Sequence, residues 1–501
     1  MIESLNNLPL LSLLIVTLPV GAVLIWIIPN PRAARWVALI TALVDLSLAL
    51  LLLSGFDITN GGFQYVETMA WIPTLNINYV MGIDGITVLF LPLTVILFIG
   101  VILSSWNSVH SMPKLYYTLL LLLESTTLGV FCALDTILFF LFWELTLIPL
   151  YFLISFWGIG PNRRHAAVKY TMFMLAGGIP LLVAFVLLAF NHATATGVAI
   201  PAGLGFDYLE LLKTPVSSDL QVIIFLLLLV GFGVKTPVFP LHTWLPEVAM
   251  EGPIAIAALL TGLKLGAYGL IRFTMPLAGT AAQQLHWLLA GLGIIAVLYG
   301  AYAALSQTNI RRMLAYASLS HVGLVVLGIS SFNQQGLQGA VFMLLNFTLI
   351  SGGLFLLTGL LHQRVGSSDL IALGGAARSM PMLASFYFIF GMAAMGIPGT
   401  SGFVAEFLLI LSAIKTHTGA GIAALFAAIL GAAYFLRQYR RTFFGPVTMQ
   451  TIADAEDLKP RELMVAVMFT VLILLGGLIP GLVLDITDMV SREWVGRITT
   501  Q

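Results

Sequence analysis

The chain reads as a succession of apolar runs about 20 residues long, separated by short polar connections. A run of that length crosses the hydrocarbon of a bilayer as a helix. Runs fall at 8–28, 36–54, 86–106, 115–133, 135–157, 166–190, 219–241, 253–274, 283–304, 312–330, 336–361, 381–411, 419–438 and 462–485, which predicts fourteen membrane-spanning helices. The longest connections, 55–85 and 191–218, are short for folded domains. The expected fold is therefore an all-α polytopic membrane protein, one transmembrane domain over residues 1–501.

Two spans break the pattern. In the stretch LVGFGVKTPVFPLHTWLP, span seven carries Lys235, followed by Pro237 and Pro240. A proline inside a helix removes a backbone hydrogen bond and clashes with the preceding turn. A charge at the bilayer centre costs roughly 2.5–3.5 kcal/mol on insertion scales. Span twelve is interrupted by GIPGTSG, with Gly399 and Gly402. Broken helices expose backbone dipoles beside buried charges at the ion sites of transporters. The two breaks are five spans apart and so run in opposite directions. This predicts two inverted five-helix repeats, 115–274 and 283–441, with discontinuous helices seven and twelve.

Composition supports the membrane reading: 59% of residues are hydrophobic and 9% charged, against about 25% charged in soluble domains. Net charge is zero, which leaves no field for nucleic acid. The one cysteine, Cys132, has no partner for a disulfide, cluster or structural zinc. No Gly-rich nucleotide loop is present, so no metal and no cofactor is expected in this chain. The N-terminus carries Glu3 and no basic segment, which argues against a cleaved signal peptide. Alternate connections hold fourteen Lys and Arg residues against four in the opposite connections and tail. The basic set is expected on the cytoplasmic side and both termini on the other.

Inside the spans an alternating line of titratable residues remains: Glu144 in span five, Lys235 in seven, Lys264 in eight, His321 in ten and Glu406 in twelve. Intramembrane charges mark ion or proton routes more often than static pairs. Glu144 has no polar neighbour in sequence, and Lys235 is its natural partner. Desolvation disfavours a buried ammonium and a nearby carboxylate restores it, so moving Glu144 would switch Lys235 between holding and releasing a proton. Gly262, Gly266 and Ala267 around Lys264 allow close packing or room for water. His321, with Ser318 and Ser320, suits a hydrated path. The bland readings are an ion pair joining two helices, a snorkelling lysine at 264, a packed histidine, and for Glu406 a carboxylate favoured by a helix N-terminus. Glu124 in span four and His242 after the first break are secondary candidates.

These residues lie in LFFLFWE (138–144), GVKTPVFPLHTWLPE (233–247), GLKLGAYGLIRF (262–273), RRMLAYASLSHVG (311–323) and GIPGTSGFVAEF (396–407). The combination resembles the antiporter-like subunits of respiratory complex I over essentially the whole chain. The resemblance implies fourteen helices, inverted repeats and one proton channel. Glu144 and Lys235 would be its carboxylate–lysine pair, Lys264 and His321 its central relay, and Glu406 its terminal residue. A glutamate at 406, where relatives commonly have lysine, is characteristic of the subunit 4 branch, the M-type or D-type chain. It argues against the rival reading, a subunit of a multi-subunit cation/proton antiporter.

Quinone, iron–sulfur clusters and the electron donor would then belong to other subunits, and the partners would be neighbouring membrane subunits, other antiporter-like ones among them, and lipid. The sequence departs from the family pattern at Ala249 and at Asn346, each where a histidine is usual. Such drift is similar to that of cyanobacterial D-subunits of the carbon dioxide uptake form. That would imply a thylakoid membrane, plastoquinone and ferredoxin; a bacterial inner membrane is the alternative.

Overall fold

The computed structural model describes residues 8–500; the segment carrying Glu3 lies outside them. The helices are α1 (Leu10–Ile27), α2 (Ala34–Ser54), α3 (Phe90–Ser104), α4 (Pro113–Cys132), α5 (Thr136–Trp157), α6 (Arg163–Thr196), α7 (Ser218–Lys235), α8 (Trp244–Glu251), α9 (Ile254–Leu277), α10 (His286–Ser306), α11 (Ile310–Ile329), α12 (Gln334–Val365), α13 (Pro381–Ala394), α14 (Ser401–Thr416), α15 (Thr418–Phe443), α16 (Pro460–Leu478) and α17 (Gly481–Thr500). Among the described residues, twelve are long and apolar enough to cross a membrane, where hydropathy predicted fourteen. The difference lies in the third predicted span, which is the shorter α3, and the twelfth, which is divided into α13 and α14. The chain is an integral, multi-pass membrane protein.

Burial separates an interior from a rim. For α4, α9, α11 and α12, 78%, 83%, 83% and 94% of the apolar window is enclosed, against 33% for α2, α15 and α16. The interior helices carry Glu124, Lys264, His321 and Asn346, so their polar side chains cannot reach lipid headgroups by extending outward.

Both expected breaks are present. Helix α7 stops at Lys235, and helix resumes at Trp244. Pro237 has no N–H to offer the Gly233 carbonyl, which takes the Val238 N–H instead at 2.9 Å, and the Trp244 indole N–H donates to the Val234 carbonyl at 2.9 Å. Helix α13 stops at Ala394 and α14 starts at Ser401. Gly396 and Gly399 between them have φ of +63° and +93°, a region costly for residues with a Cβ. Gly402 is needed for space instead: a Cβ there would lie 1.9 Å from the Ala393 carbonyl oxygen.

Four features depart from the expectation. First, the connection 55–85 holds an antiparallel hairpin, β1 (Gln64–Ile72) and β2 (Ile77–Ile83), a small addition to a helical membrane fold. The strands are rich in aromatic and β-branched residues, and Glu67 on β1 accepts from the Leu11 N–H at 2.7 Å, capping the start of α1. Second, the last predicted span, 462–485, ends at Leu478; Pro480 stops it, and α17 follows. Third, α9 is not continuous. It unwinds at Leu263 and Lys264, then forms a π-helical turn at Leu270–Thr274. Fourth, α12 contains a second π-helical turn, Phe347–Ser351. Such turns leave carbonyls without their usual partners. In α9 these are met by Trp494 Nε1 on the Ile271 oxygen at 2.9 Å and by the Tyr208 hydroxyl on the Arg272 oxygen at 2.7 Å. Arg272 itself is buried and bonds Asp84 through Nη1 and Oδ2 at 2.7 Å, which ties this turn to the hairpin.

Candidate functional site

Lys235 is the last residue of α7, where unpaired helix carbonyls favour a cation. Its ammonium donates to Thr146 Oγ1 at 2.8 Å and to the Trp143 carbonyl at 3.2 Å, and lies 4.0 Å from the centre of the Trp143 ring. A desolvated cation over a tryptophan ring gains about 2 kcal/mol, which offsets much of the roughly 2.5–3.5 kcal/mol insertion cost. The receiving groups exist because α5 is interrupted at Thr146.

The expected Glu144–Lys235 ion pair is absent: no such pair at 4.0 Å or less occurs among the described residues. Glu144 Oε1 is buried with no hydrogen-bond partner. The carboxylate packs on α6 instead, where a Cβ on Gly178 would lie 2.2 Å from that oxygen. The two groups remain within electrostatic reach. Trp143 and Thr146 therefore hold Lys235 in a position that does not depend on a Glu144 contact.

Lys264 sits in the unwound turn of α9, directly after the C-terminal end of the half-helix Ile254–Gly262. Its ammonium is buried, makes no hydrogen bond, and lies 5.0 Å from the centre of the Phe347 ring. Of the two roles expected for the small residues around it, close packing is the one seen. A Cβ on Gly266 would lie 2.4 Å from the Thr236 N, so Gly266 presses the Lys264 turn against the end of α7. The Thr348 hydroxyl donates to the freed Gly262 carbonyl at 3.2 Å, so the π turn of α12 supports the break in α9.

His321 and Glu406 form a pair, Nε2 to Oε1 at 3.3 Å. Glu406 is the sixth residue of α14, beyond the first turn, so the helix-terminus explanation does not account for it. The pair lines a cavity of about 40 Å³ with Ser318, Asn346, Phe347 and Tyr434, enough for water. Phe347 lines this cavity and also lies beside Lys264, its ring centre 6.4 Å from that of His321. Asn346 donates through Nδ2 to the Ser401 carbonyl at 2.9 Å, fixing α12 to the start of α14.

The secondary candidates lie apart from the line. His242 is buried among Phe239, Tyr299 and Tyr316, with Nδ1 unpaired. Glu124 faces Asp45 of α2. All four carboxyl oxygens of this pair are buried with no hydrogen-bond partner. Glu124→Gln, which keeps the shape and removes the charge, is expected to leave assembly intact and pumping within about twofold of the parent, a change of only ~0.4 kcal/mol in barrier. A loss of tenfold or more in proton uptake by membrane vesicles would instead place the pair on the pathway. Asp45 was legible by the reasoning that picked out Glu144, a lone carboxylate in an apolar run.

Among the described residues no three His, Cys, Asp or Glu side chains gather to hold a metal ion.

Comparison with known proteins addresses the family and the fold. Residues 133–431 match the family described as NADH:quinone oxidoreductase/Mrp antiporter, TM, a range that contains all five residues of the line. NADH-quinone oxidoreductase subunit M of Rhodobacter capsulatus is 37% identical over 91% of this chain and 89% of its own. NAD(P)H-quinone oxidoreductase chain 4 1 of Synechococcus elongatus is 37% identical over 97% of this chain and 91% of its own. The fold is similar to a chain of respiratory complex I from Thermus thermophilus, with TM-score 0.88, 30% identity and coverage of 97% and 99% of the two chains. A chain of the Mrp complex from Dietzia shares the fold at TM-score 0.81 and 23% identity, with 97% of this chain covering 52% of that one. The sequence matches, spanning nearly the full length of both partners, and the broken helices together show that the chain belongs to the antiporter-like membrane subunits of complex I, in the branch of subunit M and chain 4.

Proposed function

We propose that this chain moves protons across the membrane as a subunit of a quinone-reducing complex, through the line Glu144, Lys235, Lys264, His321 and Glu406. The electron donor, iron–sulfur clusters and quinone would be held by other subunits. The observation that carries the reading is the placement of both lysines at the C-terminal ends of half-helices, joined across Gly266, with the His321–Glu406 pair beyond Phe347. Half-helix ends are where transporters bind cations. A proton held at Lys235 would pass to Lys264 as the charge on Glu144 changes. Phe347 would then have to swing, or water enter, before His321 and Glu406 receive it. The π turn beginning at Phe347 gives that ring a backbone able to shift register. The two broken helices support the reading of 115–274 and 283–441 as inverted repeats.

The finer reading, a thylakoid subunit working with plastoquinone and ferredoxin in carbon dioxide uptake, rests on Ala249 and Asn346 alone. Relatives from cyanobacteria and from proteobacteria are equally similar, so a bacterial inner membrane serves as well.

Asn346 tests the path. An amide does not titrate near neutrality but can orient water, and here it also holds the Ser401 carbonyl. Asn346→His is expected to keep most pumping, because an imidazole can donate the same bond. Asn346→Leu is expected to reduce proton uptake several-fold in vesicles at matched complex content. Full pumping in Asn346→Leu would mean that the proton does not pass here.

A further inference from the structure

We infer that the basic ends of α2, α3 and α16 form a binding site for the headgroup phosphate of an anionic phospholipid, held by Arg35 and Arg461 at the Trp106 ring. The inference goes beyond the proton-moving reading and does not depend on it. The Arg35 guanidinium carbon lies 4.9 Å from the centre of the Trp106 ring, and that of Arg461 lies 5.3 Å from the same centre. Trp106 is buried and serves both as a fixed platform. Arg35 is also tethered, its Nη1 donating to the Trp106 carbonyl at 3.1 Å. Two cations gathered on one ring repel each other, and an anion shared by both removes the repulsion.

Among the described residues no protein group supplies that anion. Neither arginine takes part in an ion pair. Arg461 makes no hydrogen bond either, and its nitrogens are not enclosed. On Arg35 the Nε is enclosed and the Nη2 is open. The carboxylates close to Arg461 in sequence are engaged elsewhere. Glu462 pairs with Arg364, Glu456 pairs with Lys459 at 3.5 Å, and Asp457 accepts the Met382 N–H at 2.7 Å. Two more cations stand at this end of the bundle: Arg32, exposed just ahead of Arg35, and Lys114, which donates to the Ile28 carbonyl at 2.6 Å. The guanidinium fork matches the oxygens of a phosphate group.

The surroundings favour a lipid over a soluble anion or a second protein. Trp36 is exposed and meets Trp106 edge-on, ring centres 4.8 Å apart. Tryptophans gather where hydrocarbon meets headgroups. Below Arg35, α2 shows an exposed apolar stripe of Trp36, Ile40, Leu43 and Val44. Below Arg461, α16 shows a second stripe of Met464, Val467 and Val471. Both helices pack on α3, so the two stripes flank it and run from the arginines into the hydrocarbon. Acyl chains fit along them while the phosphate stays with the arginines. Basic clusters between membrane helices on this side of a bilayer bind anionic headgroups in this way.

Photo-crosslinking in the assembled complex tests this. The complex is reconstituted in phosphatidylcholine nanodiscs containing a small amount of probe, either phosphatidylglycerol or phosphatidylcholine with a diazirine on an acyl chain. After irradiation, lipid adducts on this chain are mapped by mass spectrometry. The site predicts several-fold more adduct on residues 36–44 and 464–471 from the phosphatidylglycerol probe than from the phosphatidylcholine probe. Arg461→Gln, which breaks no hydrogen bond within the described residues, should remove most of that excess at matched complex content. Arg461→Lys, which keeps the charge and loses the fork, should keep part of it. Inorganic phosphate in large molar excess should not compete, because a soluble ion gains nothing from the apolar stripes. Equal yields from the two probes in the parent, no adduct on either stretch, an undiminished excess in Arg461→Gln, or displacement by inorganic phosphate would each overturn the inference. The comparison of the two probes in the parent decides the matter by itself if Arg461→Gln does not assemble. Pumping does not enter the readout, so failure of the proton line leaves the result unaffected.

Discussion

Lys235→Met is expected to abolish most proton translocation while the complex still assembles. Methionine fills a similar volume and can lie against the Trp143 ring, so packing at the break is kept. What is lost is the cation, with its bonds to Thr146 and the Trp143 carbonyl. A positioned proton-transfer group contributes about 10²–10⁴ in rate. Proton transfer through this chain should therefore fall by about a hundredfold or more, the low end of that range. Glu144→Gln should act in the same direction, because its charge sets the field at Lys235 without touching it. The absence of a direct bond sharpens this: Glu144→Gln should leave Lys235 in place, so a loss of pumping with normal assembly would be electrostatic in origin. Proton uptake by membrane vesicles at matched complex content measures both. Normal pumping in either assembled variant would contradict the pathway.

The second large effect is expected at Glu406. Glutamine keeps the size and can still accept a bond from His321, but it cannot exchange a proton. Glu406→Gln should therefore cut pumping by about tenfold or more, at least 1.4 kcal/mol in barrier, with little change in stability. Glu406→Asp should retain part of the activity, shortened relative to the 3.3 Å contact with His321. A glutamine variant that pumps like the parent would leave the pair as a structural contact between α11 and α14.

The residues of the line were legible because a lysine, glutamate or proline stands out in an apolar run. The breaks at Pro237 and GIPGTSG could be read for the same reason: each has local chemistry that a helix cannot absorb. The unwinding at Lys264 could not. No proline marks it, and Gly262 and Gly266 read as packing residues. The break is made by tertiary contacts, the Thr348 hydroxyl on the Gly262 carbonyl and the Thr236 backbone against Gly266. The π turns were hidden likewise, since their spare carbonyls are satisfied by Trp494 and Tyr208 from distant segments. Pairing across helices is not legible in the sequence. Glu144 and Lys235 were joined because no other partner was visible in sequence, yet Trp143 and Thr146, beside Glu144 on the same helix, are the groups Lys235 contacts. Nothing in the sequence points from Arg272 to Asp84, its partner from a distant segment. The hairpin was missed because apolar-run counting has no term for strands.

The measurement that tests the central claim most directly is the number of protons moved per NADH oxidised by the purified complex in sealed liposomes, with Lys264→Met compared to the parent. Lys264 stands between the two halves of the line, and its ammonium makes no hydrogen bond that methionine would break. The account predicts that fewer protons are moved per NADH, or that oxidation slows in step with pumping until a protonophore is added. An unchanged ratio at the parent's rate would show that protons do not pass through Lys264 and would contradict the account.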